Sequence, residues 1–180
     1  DVNVVASVDL PSYRKGRYAL GADSWGKNGG LPSGDAAVCS NEDANRNGVL
    51  EASEDSTANG NGNGNGTLEP RKADVSVSLL STKTDAKGSV VLEVTYPQDH
   101  GSWVDAIITV TASGIAGTEG RATYNMFPVP VDAASIKNKD VPPALSMNAT
   151  PASTDPYSVT LDVAGACACA RPAESRQANT

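Results

Sequence analysis

Residues 83–120 read KTDAKGSVVLEVTYPQDHGSWVDAIITVTASGIAGTEG, and their pattern decides the fold. Residues 90–96 and 105–113 each place an apolar residue at every second position. A period of two is typical of a β-strand with one buried face. Because Gly, Asp and Pro separate these segments, the stretch predicts two consecutive antiparallel strands joined by turns.

The same alternation recurs on both sides of this stretch. It is seen at residues 2–10, 75–79, 121–127 and 157–163, and no helical period extends over a dozen residues. Prolines interrupt residues 129–155, which we expect to be an extended connection, with a helical turn at most within 131–139. Short strands separated by turns predict an all-β protein, an antiparallel immunoglobulin-like β-sandwich.

A different kind of pattern fills residues 39–70, which read CSNEDANRNGVLEASEDSTANGNGNGNGTLEP. A twelve-residue calcium loop takes ligands from positions 1, 3, 5, 7, 9 and 12 and has Gly at position 6. If Asp43 is position 1, Gly48 is position 6 and the predicted ligands are Asp43, Asn45, Asn47, the Val49 carbonyl, Glu51 and Glu54. The simpler alternative is a solvated acidic turn region, since Asn, Asp and Gly also dominate ordinary turns.

The second half of the stretch allows several registers because Asn-Gly repeats from residue 59 to 66. Aligning Leu68-Glu69 with Leu50-Glu51 predicts a second set of ligands: Asn61, Asn63, Asn65, the Thr67 carbonyl and Glu69. Position 12 is then Lys72, so a second ion needs negative charge from Asp55 or Glu54. Alternatively, residues 59–64 are an insertion and one ion binds. The expected cofactor is therefore Ca²⁺, as one or two ions.

Composition limits the partners and the compartment. The net charge of −7 and the pI of about 4.6 argue against nucleic acid as a partner. We find no apolar run of membrane-spanning length and no signal peptide, which is expected of a mature exported chain or of a fragment. Zinc is disfavoured because His100 is the only histidine. In an oxidising compartment Cys39 would pair with Cys167 or Cys169; three unpaired cysteines are the alternative.

Several of these motifs resemble known bacterial proteins. The T-D-x-x-G turn at Thr84–Gly88 and the strand ending in T-V-T-A resemble immunoglobulin-like domains of the invasin and intimin kind. The order of Y-R-K-G-R-Y, C-x-N-E-D-x-N-R-N-G-x-L-E, the W-V strand and G-T-E-G over roughly residues 10–145 resembles a group of exported bacterial proteins. The calcium loops resemble those of dockerins and thrombospondin type 3 repeats. The resemblance implies a non-catalytic extracellular β-sandwich, secreted or on the bacterial cell surface.

We therefore expect one domain in four parts: N-terminal strands at 1–38, a calcium-loop insertion at 39–72, immunoglobulin-like strands at 73–130, and a proline-rich connection, last strand and tail at 131–180. The expected function is a calcium-stabilised structural or adhesive module, a subunit of a surface filament or adhesin that assembles with neighbouring copies. The alternative is an accessory module of a secreted enzyme that binds carbohydrate through Trp25, Trp103 and tyrosines. We expect no catalysis, because the turn containing His100 gives no sign of a converging triad.

Overall fold

The computed structural model describes residues 2–15, 17–28, 37–56, 62, 64–113, 120–130 and 133–140. This part of the chain is mostly β-strand. The strands are β1 (Asn3–Lys15), β2 (Arg17–Leu20), β3 (Trp25–Asn28), β4 (Ala37–Ser40), β5 (Ser76–Leu79), β6 (Leu92–Thr95), β7 (Val104–Ser113) and β8 (Gly120–Met126). One short helix, α1 (Ala133–Lys137), lies within the predicted helical turn. None of the described helices is long and apolar enough to cross a membrane.

All the strand pairs between described residues are antiparallel, which confirms the prediction of an all-β antiparallel protein. The largest sheet has the order β4-β1-β7-β8, and β2-β3 and β5-β6 form separate two-stranded sheets. In the large sheet β1 is central: it pairs with β7 along most of its length and with β4 at its C-terminal end. The segment before β6 also reaches β1, since the Val4 N–H donates to the Thr82 carbonyl at 2.9 Å.

β1 continues through Pro11, where the sequence suggested that the strand ends. Its register with β7 shifts between Asp9 and Ser12. Proline has no N–H to give to a ladder and is tolerated where the ladder is interrupted. Its carbonyl accepts the Asn41 N–H at 3.0 Å, so this irregular point of β1 holds the start of the loop region.

The core joins the large sheet to the β5-β6 hairpin. Leu10 of β1 and Ala106 of β7 are buried in one cluster with Val75, Val104 and Val129, and Val8, Val94, Tyr96 and Met126 pack against it. The alternation predicted for β1 is confirmed: Val4 and Leu10 are buried while Val5 is 62% exposed. Val75 of this cluster directly precedes β5, so the core fixes the C-terminal end of the loop region, which runs from β4 to β5.

One expectation drawn from the sequence differs from the structure, and another concerns residues outside the described ranges. The glycines within residues 25–34 favour a turn region, but Trp25–Asn28 form β3 against β2. The expected last strand at 157–163 and the two C-terminal cysteines lie outside the described residues.

Candidate metal centre

The loop region between β4 and β5 is anchored on the irregular point of β1. The Asn41 side chain donates from Nδ2 to the Leu10 carbonyl at 2.6 Å, and its Oδ1 accepts the Asp43 N–H at 2.8 Å. Arg46 donates from Nε to Asp9 Oδ1 at 2.8 Å and also contacts the Asp43 carbonyl. The first predicted ligand, Asp43, therefore starts from a position fixed by the sheet.

Residues 43–49 wind tightly around the Asp43 carboxylate. Its Oδ1 accepts the Asn47 N–H at 3.0 Å and its Oδ2 accepts the Gly48 N–H at 2.8 Å. Asn45 Oδ1 also accepts the Asn47 N–H at 2.9 Å, and Asn47 Oδ1 accepts the Val49 N–H at 2.7 Å. Gly48 has φ of +77°, a conformation that disfavours L side chains. The structure thus brings predicted positions 1, 3, 5 and 7 into one turn.

The two glutamates of the first loop close it. Glu54 is 4% exposed; its Oε1 accepts the Ala44 N–H at 2.9 Å and its Oε2 accepts the Glu51 N–H at 3.3 Å. Glu51 receives the Nδ2 groups of Asn45 and Asn47 at 2.9 Å and 2.8 Å. Hydrogen bonds therefore connect all six predicted ligand residues of this loop in one network.

The second predicted loop is described in part. Asn65 Oδ1 accepts the Thr67 N–H at 2.8 Å, and Asn65 Nδ2 donates to Glu69 Oε1 at 2.8 Å. Asp55 Oδ2 accepts the Gly66 N–H at 2.9 Å, which places the Asp55 carboxylate in this loop. Predicted ligands Asn61 and Asn63 lie outside the described residues.

Glu42 joins the two loops, and the sequence analysis did not assign it a role. Its N–H donates to the Glu69 carbonyl at 2.9 Å, and its Oε2 accepts the Glu69 N–H at 3.0 Å. Its Oε1 accepts the Tyr13 hydroxyl at 3.3 Å. Burial and, next, the charge of Glu69 raise the pKa of Glu42 from 4.5 to about 7, although its hydrogen bonds oppose the rise. The signal in the sequence was the repeated Glu-Asp pair, at Glu42-Asp43 and Glu54-Asp55.

The region concentrates buried negative charge. Its four buried acids are Glu42, Asp43, Glu54 and Glu69, exposed by 1%, 5%, 4% and 5%. Lys15 forms an ion pair with one of these acids, since its Nζ lies 3.6 Å from Glu69 Oε2. Buried carboxylates are normally paired with a cation or bound to a metal. This chemistry fits a hard, oxygen-ligated cation.

Carboxylates alone do not form such a site. Within the described ranges, no three side chains of His, Cys, Asp or Glu are grouped so as to hold a metal ion. The predicted donor set is mixed, because a calcium loop also uses amide and backbone carbonyl oxygens. Calcium binding by these residues stays a prediction.

The other residues considered for function are placed as follows. Trp103 is 1% exposed and meets Tyr18 edge to face, with ring centroids 5.2 Å apart. Trp25 donates from Nε1 to the Asn138 carbonyl at 2.8 Å. His100 Nδ1 lies 2.8 Å from Asp99 Oδ1. Trp103 therefore offers no exposed ring for stacking on a sugar.

Cys39 is 1% exposed and lies opposite Tyr13 in the β1-β4 ladder. Both of its candidate partners, Cys167 and Cys169, lie outside the described residues, so the pairing stays a prediction. In comparisons with known proteins, no family model, curated protein or solved structure matches this chain.

Proposed function

We propose that the chain is a non-catalytic, calcium-stabilised structural or adhesive module of the bacterial cell surface, built on an immunoglobulin-like β-sandwich. The observation that carries the proposal is the set of four carboxylates, each at most 5% exposed, in the loop region between β4 and β5. Several backbone N–H groups orient these carboxylates, and Lys15 Nζ lies 3.6 Å from Glu69 Oε2. A bound divalent cation balances the negative charge that these four acids concentrate in one region.

Calcium then acts by fixing the connection between two parts of the fold. The first loop begins at Asn41, which is bonded to β1, and the second ends beside the turn at Lys72–Asp74 that leads into β5. Without a cation, mutual repulsion and the conformational entropy of the loops oppose this connection. With a cation bound, the large sheet and the β5-β6 hairpin are held in one arrangement.

Assembly with further copies has support from the free side of the large sheet. β8 is its last strand among the described residues, and unpaired strand edges accept a strand from another chain. An apolar groove of ≈ 350 Å³ lies beside it, lined by Leu92, Val94, Ile108, Val110, Ala122, Thr123, Tyr124 and Met126. We propose that a second copy of the chain adds to this edge. The carbohydrate-binding alternative has less support, because Trp103 is buried.

The test is a calcium titration of the full chain, from chelator to several millimolar, followed by thermal melting and light scattering, with magnesium as the control. The proposal expects calcium to raise the melting temperature more than magnesium does. Particles that grow together with the melting temperature support assembly, whereas a monomeric mass at high concentration contradicts it. An unchanged melting temperature contradicts the calcium function itself.

A further inference from the structure

The two halves of the loop region repeat one motif with a different spacing. Glu42-Asp43 and Glu54-Asp55 are each followed by Asn-Gly, one further residue, and Leu-Glu. Asn47 follows Asp43 by four positions and Asn65 follows Asp55 by ten, so the second copy holds six additional residues. This spacing suggests that Asp55, rather than Asn61, is the first ligand of the second loop.

The contacts of Asp55 match those of Asp43. Asp43 Oδ2 accepts the Gly48 N–H at 2.8 Å, and Asp55 Oδ2 accepts the Gly66 N–H at 2.9 Å. These glycines occupy the same place in the two motifs and have φ of +77° and +76°. Asp55 therefore stands in the second loop as Asp43 stands in the first.

The backbone contacts of Gly62 explain how the second loop accommodates its six additional residues. Its N–H donates to the Ser56 carbonyl at 3.3 Å, and an added Cβ would lie 2.1 Å from the Glu54 carbonyl oxygen. The backbone at Gly62 thus lies against the backbone of Glu54 and Asp55. Only glycine allows this approach of one backbone to another.

Glu42 supplies the carboxylate that the second loop lacks at position 12, because that position is Lys72. In the first loop the closing carboxylate, Glu54, accepts the Glu51 N–H at 3.3 Å. In the second loop the equivalent N–H, that of Glu69, donates to Glu42 at 3.0 Å. Each glutamate therefore precedes the first ligand of one loop and closes the other.

One atom points to an absent ligand independently of these correspondences. Asp55 Oδ1 has less than 1 Å² accessible and no hydrogen-bond partner, and it is the one such side-chain atom among the described residues. The other oxygen of the same carboxylate accepts the Gly66 N–H of the second loop at 2.9 Å. A buried oxygen without a donor is unfavourable unless a cation or a water molecule meets it.

We propose that the second loop is a distinct site for a hard divalent cation, calcium first, with Asp55, Asn65, the Thr67 carbonyl, Glu69 and Glu42 as its ligands. Since its three acids are not grouped at ion-binding distance in the described structure, the ion draws their carboxylates together when it binds. The proposal extends the calcium-binding function proposed above to a second ion. Its new element is that Glu42, which lies before the first loop in sequence, completes the second. Glu42 also directly precedes Asp43, the first predicted ligand of the first loop, so the two sites adjoin in the chain.

The experiment counts bound ions by equilibrium dialysis against calcium with elemental analysis, on the full chain. The variants are Glu42→Gln and Asp55→Asn, with Lys72→Ala and the exposed Glu93→Gln as controls. Circular dichroism in chelator checks that each variant is folded. We expect two ions in the wild type and both controls, and one ion in Glu42→Gln and in Asp55→Asn.

The outcomes separate this proposal from the proposed function. One ion in the wild type, unchanged in both test variants, overturns the second site but leaves calcium binding by the first loop intact. No ion in the wild type overturns both. Loss of one ion in Lys72→Ala, or retention of two in a folded Asp55→Asn, overturns the ligand assignment.

Discussion

Replacing Asp43 by alanine separates the two contributions of this residue to stability. Its carboxylate accepts the N–H groups of Asn47 and Gly48 at 3.0 Å and 2.8 Å. Both residues are exposed, so water replaces part of what is lost. At about 1 kcal/mol for each hydrogen bond, we expect Asp43→Ala to lower the free energy of unfolding in chelator by roughly 2 kcal/mol.

The calcium-dependent contribution is larger. Extracellular calcium modules bind with dissociation constants of roughly 0.1 to 1 mM, and calcium at about a hundred times the constant adds roughly 2.7 kcal/mol per site. For a chain of this size, about 2 to 4 °C of melting temperature corresponds to 1 kcal/mol. The first ion should therefore raise the melting temperature by roughly 5 to 10 °C, and Asp43→Ala should lack this increment.

The assay is thermal melting of the wild type and Asp43→Ala in chelator and in saturating calcium, with Glu93→Gln as a control for the loss of one negative charge. The quantity compared is the rise caused by calcium, not the melting temperature itself. A full wild-type rise in Asp43→Ala would refute the register that makes Asp43 the first ligand. A reduced rise in Glu93→Gln would show that net charge, rather than the loop, determines the response.

Three other perturbations test separate parts of the reasoning. In chelator, the raised pKa of Glu42 contributes roughly 3 kcal/mol of stability that is fully present below pH 4.5 and is lost as the pH rises to about 7. Urea unfolding should show the difference in stability between the wild type and Glu42→Gln change by this amount across the range. Gly62→Ala places a Cβ against the Glu54 backbone, so the dialysis count should show that the second ion no longer binds. A Cβ added at Gly26 has no atom within 4 Å, so Gly26→Ala should leave binding of the second ion unchanged. Trp103→Ala should cost about 3 to 5 kcal/mol in urea unfolding, because the side chain is fully buried; a loss below 1 kcal/mol would contradict that.

The strands were predictable because their signal is local. Val5 and Val91 face solvent at 62% and 60% exposure, while the apolar residues that alternate with them face inward, as a period of two requires. Pro11 misled for a physical reason: a proline usually ends a strand, but the register shift in β1 removes the need for its N–H. Such an irregularity depends on β7 and on Asn41, neither of which is near Pro11 in sequence.

The candidate site was predictable only where its spacing is standard. From Asp43 to Glu54 each predicted ligand follows from the previous one, and the structure links all of them. In the Asn-Gly repeat every register looks alike locally, so sequence spacing could not select one. The contacts of Gly66 with Asp55 and of Glu69 with Glu42 are the observations on which the proposed register rests.

Because Gly62 lies close to Glu54, the number of residues in the second loop can change without changing the geometry on either side of the point where the chain closes. Since the chain closes on itself between Ser56 and Gly62, residues added within that closure need not move the atoms on either side. Each doubling of a flexible loop adds only about 0.6 kcal/mol of closure entropy. The segment is thus a position at which a peptide label or an epitope can be carried beside the proposed metal centre without altering the spacing of the groups that would form it.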